Sequence, residues 1–260
     1  MVLHLIVVSN ILLPLTANPG DAFMKKQDLY FALFLLALFL PFVLSVEAFN
    51  AYEHFNRVHG MVMSFVKFAV LATLGEMLGL RIKTGKYAFS GFGILPRILV
   101  WGFLGLAIKA AFIIYSGGTP MLLEYLGING ASSLIKGDLN EAKVMVALCI
   151  SIAMNATFAP VMMTFHKITD THILQTGGTL HGFFTPLPVR KIITGMNWDV
   201  QWNFVFCKTI PFFWIPAHTL TFLLPPDYQV LFAAFLGLAL GVILAVAGQM
   251  ARKATPLAKS

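Results

Sequence analysis

Residues 228–250 run for 23 residues without a formal charge. At ~1.5 Å rise per residue a helix of that length covers the ~30 Å hydrocarbon core of a bilayer. A second apolar stretch, residues 203–224, precedes it, and Pro225-Pro226-Asp227 makes a tight break between the two. The earlier stretch carries Lys208, Pro211, Pro216 and His218. Lipid satisfies none of these groups, so that span is expected to lie against other helices or to line a cavity. The chain reads as an integral membrane protein, and its polar residues are to be read as interior ones.

Composition agrees. Only 11% of the 260 residues are charged and 58% are hydrophobic, whereas soluble domains average ~25% charged residues. A water-soluble fold would lack charge for its surface. The net charge of +7 is not gathered on an amphipathic face but sits in particular loops, which is a topology signal and not a nucleic-acid footprint. Cys149 and Cys207 lie in apolar runs without metal-ligand spacing and read as small hydrophobes.

Four more apolar stretches precede these two, at residues 29–46, 62–80, 97–116 and 143–165. The expected fold is therefore all-α, a multi-pass transmembrane helix bundle of about six spans. Residues 47–61, 81–96, 117–142 and 166–202 are expected as loops, the last one long and able to dip back into the membrane at 173–190. The organisation expected is an N-terminal apolar segment (1–27), an additional transmembrane helix and loop (28–58), the main bundle (59–253) and a C-terminal tail (254–260). Residues 1–17 lack a basic flank and make a poor signal peptide; Met24-Lys25-Lys26 resembles a start followed by a basic flank.

Charge tests the six-span layout. Of 18 Lys and Arg residues, 12 fall in the N-terminal flank and alternate loops on one side, three fall on the other side, and Lys67, Lys109 and Lys208 lie within spans. Lys and Arg resist translocation, so both termini are expected on the cytoplasmic side. A bacterial inner membrane is the favoured location and an organellar membrane the alternative.

The ionisable groups inside spans are Lys67, Glu76, Lys109 and Lys208. A charge at mid-bilayer costs at least ~2.5 kcal/mol and needs a partner or water. Glu76 and Lys208 stand at similar depth from the basic side and are placed to pair. Lys67 and Lys109 share the opposite half with no evident acid, which suits an anion or a water-filled passage; snorkelling to the interface is the plainer alternative. Asn155 sits mid-span before Pro160, either bonding the carbonyls a proline frees or facing a lumen. His218 is a lone histidine, more naturally an interior hydrogen-bonding group than a ligand. No metal set, cofactor motif or nucleophile–base pair is visible, so no enzyme activity is expected. Gly75 with Gly79, and Gly237 with Gly241, are small-residue pairs that allow close helix approach, within the bundle or between copies. Trp101, Trp198, Trp202 and, less well, Trp214 suit an interfacial belt.

Four short pieces occur in one order across residues 60–250: Gly75-Glu76 at the end of a small-residue helix, Gly102-Phe103-Leu104-Gly105, Asn155-Ala156-Thr157-Phe158-Ala159-Pro160, and Trp214, Pro216, Phe222, Pro226 and Tyr228. Together they resemble the Mpv-seventeen/PMP-twenty-two family of peroxisomal and mitochondrial inner-membrane proteins. Met154-Asn155, Thr221 and Gln229 stand where that family has Asp-Gln, Asn and Arg. The resemblance implies a distant, bacterial member with a pore-like role in membrane permeability. The resulting expectation is a small-solute channel or transporter, lined by Lys67, Glu76, Lys109, Asn155, Lys208 and His218. The alternative is a non-transporting membrane scaffold or assembly protein. The partners expected are the lipid bilayer, a small solute or ion, and further copies of the chain.

Overall fold

The computed structural model describes residues 26–254; the expectations for residues 1–17, for a start at Met24 and for the tail fall outside them, wholly or nearly so. The described residues are helical with no strand. In chain order they form α1 (Lys26–Leu44), α2 (Val46–Val58), α3 (Gly60–Thr84), α4 (Ile94–Tyr125), α5 (Ala131–Leu134), α6 (Glu141–Gln175), α7 (Leu180–Phe183), α8 (Val189–Thr194) and α9 (Trp198–Val200). A π-helical segment (Gln201–Trp214) then runs into α10 (Ile215–Leu223), and α11 (Pro226–Ala254) follows. Five of these, α1, α3, α4, α6 and the first 18 residues of α11, are long and apolar enough to cross a membrane. The protein is an all-α bundle of membrane-spanning helices.

Several loops expected from hydropathy are helix. Residues 47–58 form α2, capped by Ser45, whose hydroxyl accepts from the Ala48 amide at 3.1 Å. Its polarity reflects exposure, not irregular backbone. Helix α4 continues through Gly117-Gly118 and Pro120 to Tyr125, and α6 continues through Pro160 to Gln175. At 32 and 35 residues these helices exceed the ~20 needed for a hydrocarbon core, so their polar ends belong to the interfaces. Asn140 caps the start of α6 by accepting from the Lys143 amide at 2.8 Å. The segment 173–190 holds the end of α6, a glycine turn and the one-turn helix α7. The stretch expected as a fifth plain span is instead 14 residues of π-helix followed by nine of α-helix, with Pro211 and Pro216 inside the run. Proline removes backbone donors, which favours departure from regular α-helical bonding there.

Helix α3 is the hub, packed along its length against α4 and α11. Glycine makes both crossings close. A Cβ at Gly105 would lie 2.5 Å from the Ser64 carbonyl oxygen, and one at Gly102 would enter the Phe65 ring. On the other flank, a Cβ at Gly75 would stand 3.0 Å from the Leu238 backbone, and one at Gly79 would stand 3.5 Å from the Gly241 carbonyl oxygen. Gly75, Gly79 and Gly241 thus face one another inside the chain, whereas Gly237 has open space around it among the described residues. The apolar core between the helices includes Phe68, Phe112, Ile150, Met154 and Phe222.

Candidate functional site

Three polar levels lie between the helices. The first joins α3, α4 and α6 near the end of α3. Arg97, one turn into α4 and 6% exposed, directs its two terminal nitrogens to Glu76 on α3 and Asp170 on α6. Its Nε donates to the Phe92 carbonyl at 2.8 Å, and the guanidinium lies 4.3 Å over the Phe92 ring. The other Glu76 oxygen accepts from Trp101 Nε1 at 3.0 Å and meets His166 Nε2 at 3.1 Å. Lys167 Nζ stands 4.0 Å from Asp170. A guanidinium suits this position because its planar fork meets two carboxylates and a carbonyl at once.

Backbone geometry fixes this level. Gly91, Gly93, Gly177 and Gly178 adopt left-handed φ values of 67–94°. A Cβ at Gly178 would fall 2.5 Å from the Gly91 carbonyl oxygen, and one at Gly93 would fall 2.5 Å from Ile173 Cγ2. Glycine lets the loop before α4 nest on the turn after α6, which aims the Phe92 carbonyl at Arg97.

The second level is uncharged and joins α6 to α10. Asn155, fully buried, donates to the Ser151 carbonyl at 2.9 Å and faces His218 Nδ1 at 3.0–3.2 Å through both amide atoms. Ser151 Oγ donates to the Ile215 carbonyl at 2.7 Å, tying α6 to the point where the π-helix becomes α-helix. The His218 ring stacks on Trp214 and meets Phe112 edge-on. Trp214 Nε1 is buried without a hydrogen-bond partner among the described residues.

The third level is at the other end of α3. Lys67, 5% exposed, donates to Asn56 Oδ1 at 2.6 Å and lies 5.3 Å over the Tyr52 ring. Asn56 in turn donates to the Asp227 carbonyl at 3.1 Å, linking α2, α3 and α11. The Lys109 side chain reaches the start of α3, its Cε 3.7 Å from where a Cβ on Gly60 would sit. Lys67 is buried, with its ammonium on an amide.

The sequence-derived set is therefore divided. Lys67 and Lys109 stand at the third level, Asn155 and His218 form the second, and Glu76 belongs to the first. Lys208 is exposed on the π-helical segment and does not pair with Glu76, whose partners are Arg97, His166 and Trp101. Equal depth did not bring Glu76 and Lys208 together, because α4 and α6 are the helices that present partners to Glu76. Trp101 serves this carboxylate. Cys207 is exposed, not buried. Arg97, His166 and Asp170 escaped sequence reasoning because hydropathy placed them at or beyond span ends. A signal existed: 97 with 101, and 166 with 170, are i,i+4 pairs on single helix faces.

Tyr87, in the loop after α3, donates its hydroxyl at 2.9 Å to Asp28 at the start of α1, which also accepts two bonds from Arg81, at 2.6 and 2.7 Å. Burial, and then the bond to Asp28, push the Tyr87 hydroxyl up to about 12. Among the described residues no cluster of His, Cys, Asp or Glu is arranged to hold a metal ion. No protein-family model, curated protein or solved structure matches this chain.

Proposed function

We propose that this membrane protein passes a small solute or ion, along the inward face of α6. One observation carries the reading. Ser151, Asn155, His166 and Asp170 are spaced by 4, 11 and 4 residues. Eleven residues are close to three helical turns, and with the steps of four the positions drift by only ~100° around the helix in all, so the four form one slanting stripe on one side. At ~1.5 Å per residue the stripe is ~28 Å long, close to the thickness of a hydrocarbon core. Packing alone does not call for a polar stripe of that length in a membrane helix, where polar groups are expensive and mark pathways. Between Asn155 and His166 the buried Ala159 and half-buried Met162 leave a short apolar stretch, suited to gating by dewetting. The Lys67–Lys109 level at the other end of α3 favours anions. The loop-charge asymmetry and the resemblance to the Mpv-seventeen/PMP-twenty-two family support the same reading: a distant bacterial member in the inner membrane with cytoplasmic termini.

A scaffold or assembly protein is the second reading, supported by the way Arg97, Glu76, Asp170, Asn155 and His218 satisfy one another within the chain. Purified protein in planar bilayers under a KCl gradient separates the two. The expected result is a conductance whose reversal potential shifts toward cation selectivity in Lys109→Ala. A stable, well-folded protein that neither conducts nor passes solutes in a liposome flux assay overturns the transport reading. Gly237→Leu then tests for an oligomer, because Gly75 and Gly79 are already covered by α11.

A further inference from the structure

Helix α1 has no fully buried residue, yet it is held against the bundle. Besides Phe42, which meets Tyr52 of α2 at 5.4 Å, two ties flank a groove. Asp28 is bound by Arg81 and Tyr87, with Phe31 stacked on the Tyr87 ring at 4.5 Å, and Phe39 meets Phe235 of α11 at 5.9 Å. From residue 28 to residue 39 a helix rises ~16 Å. Between the two ties an open groove of about 700 Å³ separates α1 from α3 and α4. Its walls are almost wholly apolar, with Phe34, Val70, Leu74 and Ile98 among them. The small side chains of Ala69 and Thr73 on α3 keep it open, and Thr73 Oγ1, though buried, has no hydrogen-bond partner among the described residues.

The two ends differ. Gln27 and Lys86 stand at the end near the basic loop, and Lys86 is exposed with no ion pair among the described residues. The single acid beside that end, Asp28, is already bridged by Arg81. The mouth is therefore cationic and the floor apolar.

We propose that this groove holds an acyl chain of an anionic phospholipid from the bilayer, with its phosphate at Lys86 and Gln27 and its chain lying between α1 and α3 toward Thr73. The charge at the mouth selects the headgroup and the apolar walls take the tail. Thr73 faces hydrocarbon, so its hydroxyl is dispensable. The site lies outside the α6 stripe and stands or falls independently of transport.

The test uses the full chain in vesicles of equal phosphatidylcholine and phosphatidylglycerol, with each lipid spin-labelled in turn on its chain. Wild type is expected to immobilise labelled phosphatidylglycerol roughly five-fold more strongly than phosphatidylcholine, the equivalent of about 1 kcal/mol for one lysine near a headgroup. Lys86→Glu is expected to abolish that preference. Val70→Trp fills the groove and is expected to lose the immobilised lipid of either kind, while Thr73→Val leaves binding unchanged. Equal immobilisation of both lipids by wild type, or an unchanged preference in Lys86→Glu, overturns the proposal. So does a site that appears only after residues 1–23 are removed, which assigns the groove to the chain's own N-terminus, or one lost on dilution with a cross-linkable α1, which assigns it to a second copy. Lys86 is exposed, so its variant remains informative even where Val70→Trp does not fold.

Discussion

The two ends of α3 each hold a buried cation next to the helix, and they are compensated in different ways. At one end Arg97 touches two carboxylates and a backbone carbonyl, and every nitrogen of its fork is used. At the other end Lys67 touches one neutral amide oxygen and one aromatic face. The charges that act on Lys67 from further away, the Lys109 ammonium and the Asp227 carboxylate, have opposite signs. A fully compensated buried charge is a structural joint: its partners are its purpose. A buried ammonium held by an amide keeps unspent attraction for an anion. On the transport reading proposed above, the Lys67 end is the one with attraction left for a passing anion, and the Arg97 end is the one that also ties helices together.

The sharpest way to break this comparison is to remove each cation. Arg97→Leu leaves the half-buried Glu76 and Asp170 without their common partner and is expected to cost about 3 kcal/mol, the lower end of the range for breaking a buried ion pair from one side. Lys67→Met leaves only the Asn56 carbonyl oxygen without its donor, a penalty of ~1–3 kcal/mol that is offset by no longer burying an ammonium. Its net cost is expected to be several-fold below that of Arg97→Leu. Thermal unfolding of both variants in one detergent checks this. Equal losses would show that the two ends are joints of the same kind.

A smaller effect tests whether the crossing between those ends is as tight as the glycines imply. Gly105→Leu drives a side chain into the Ser64 carbonyl and the Phe68 side chain, and overpacking of this kind costs typically 1–3 kcal/mol. Gly237→Leu, whose Cβ has nothing within 4 Å among the described residues, is expected to be neutral within about 0.5 kcal/mol in the same assay. If both variants unfold at the wild-type temperature, α3 and α4 are free to move apart and the two ends of α3 are not rigidly linked.

How much of this was legible beforehand follows from what hydropathy measures. The run at 228–250 and the other apolar stretches declared the membrane helices, because lipid admits little else. Asn155 and His218 were visible as polar residues inside apolar spans, and the fold sets them face to face. Arg97, His166 and Asp170 were not visible in that way. Each lies near the end of a helix that outruns the apolar window, where a charge looks like loop. The pairing of Glu76 was unreadable for another reason: depth along the membrane is a sequence quantity, but which helices neighbour α3 is not. Polarity misled most clearly at α2, a helix whose exposed face reads as loop on composition alone. The π-helical segment shows in its prolines only as an irregularity.

The finest test concerns the tie that holds α1 to this end of α3. The Tyr87 hydroxyl donates to Asp28, and its proton is held up to about 12 against an ordinary value near 10. A group that binds its proton more tightly when folded gives the unfolded chain fewer protons at intermediate pH, so stability falls as pH rises between those two values. Below about 10 both states keep the proton and the slope vanishes. Wild type is therefore expected to lose stability across pH 10–12, part of that loss disappearing in Tyr87→Phe, which cannot ionise. The Phe variant also gives up the bond to Asp28 at neutral pH, so its unfolding curve should start slightly lower and then run flatter. Parallel curves for the two proteins would mean that the Tyr87 hydroxyl contributes nothing to holding Asp28. In that case the polar part of this tie rests on charge, which salt can screen.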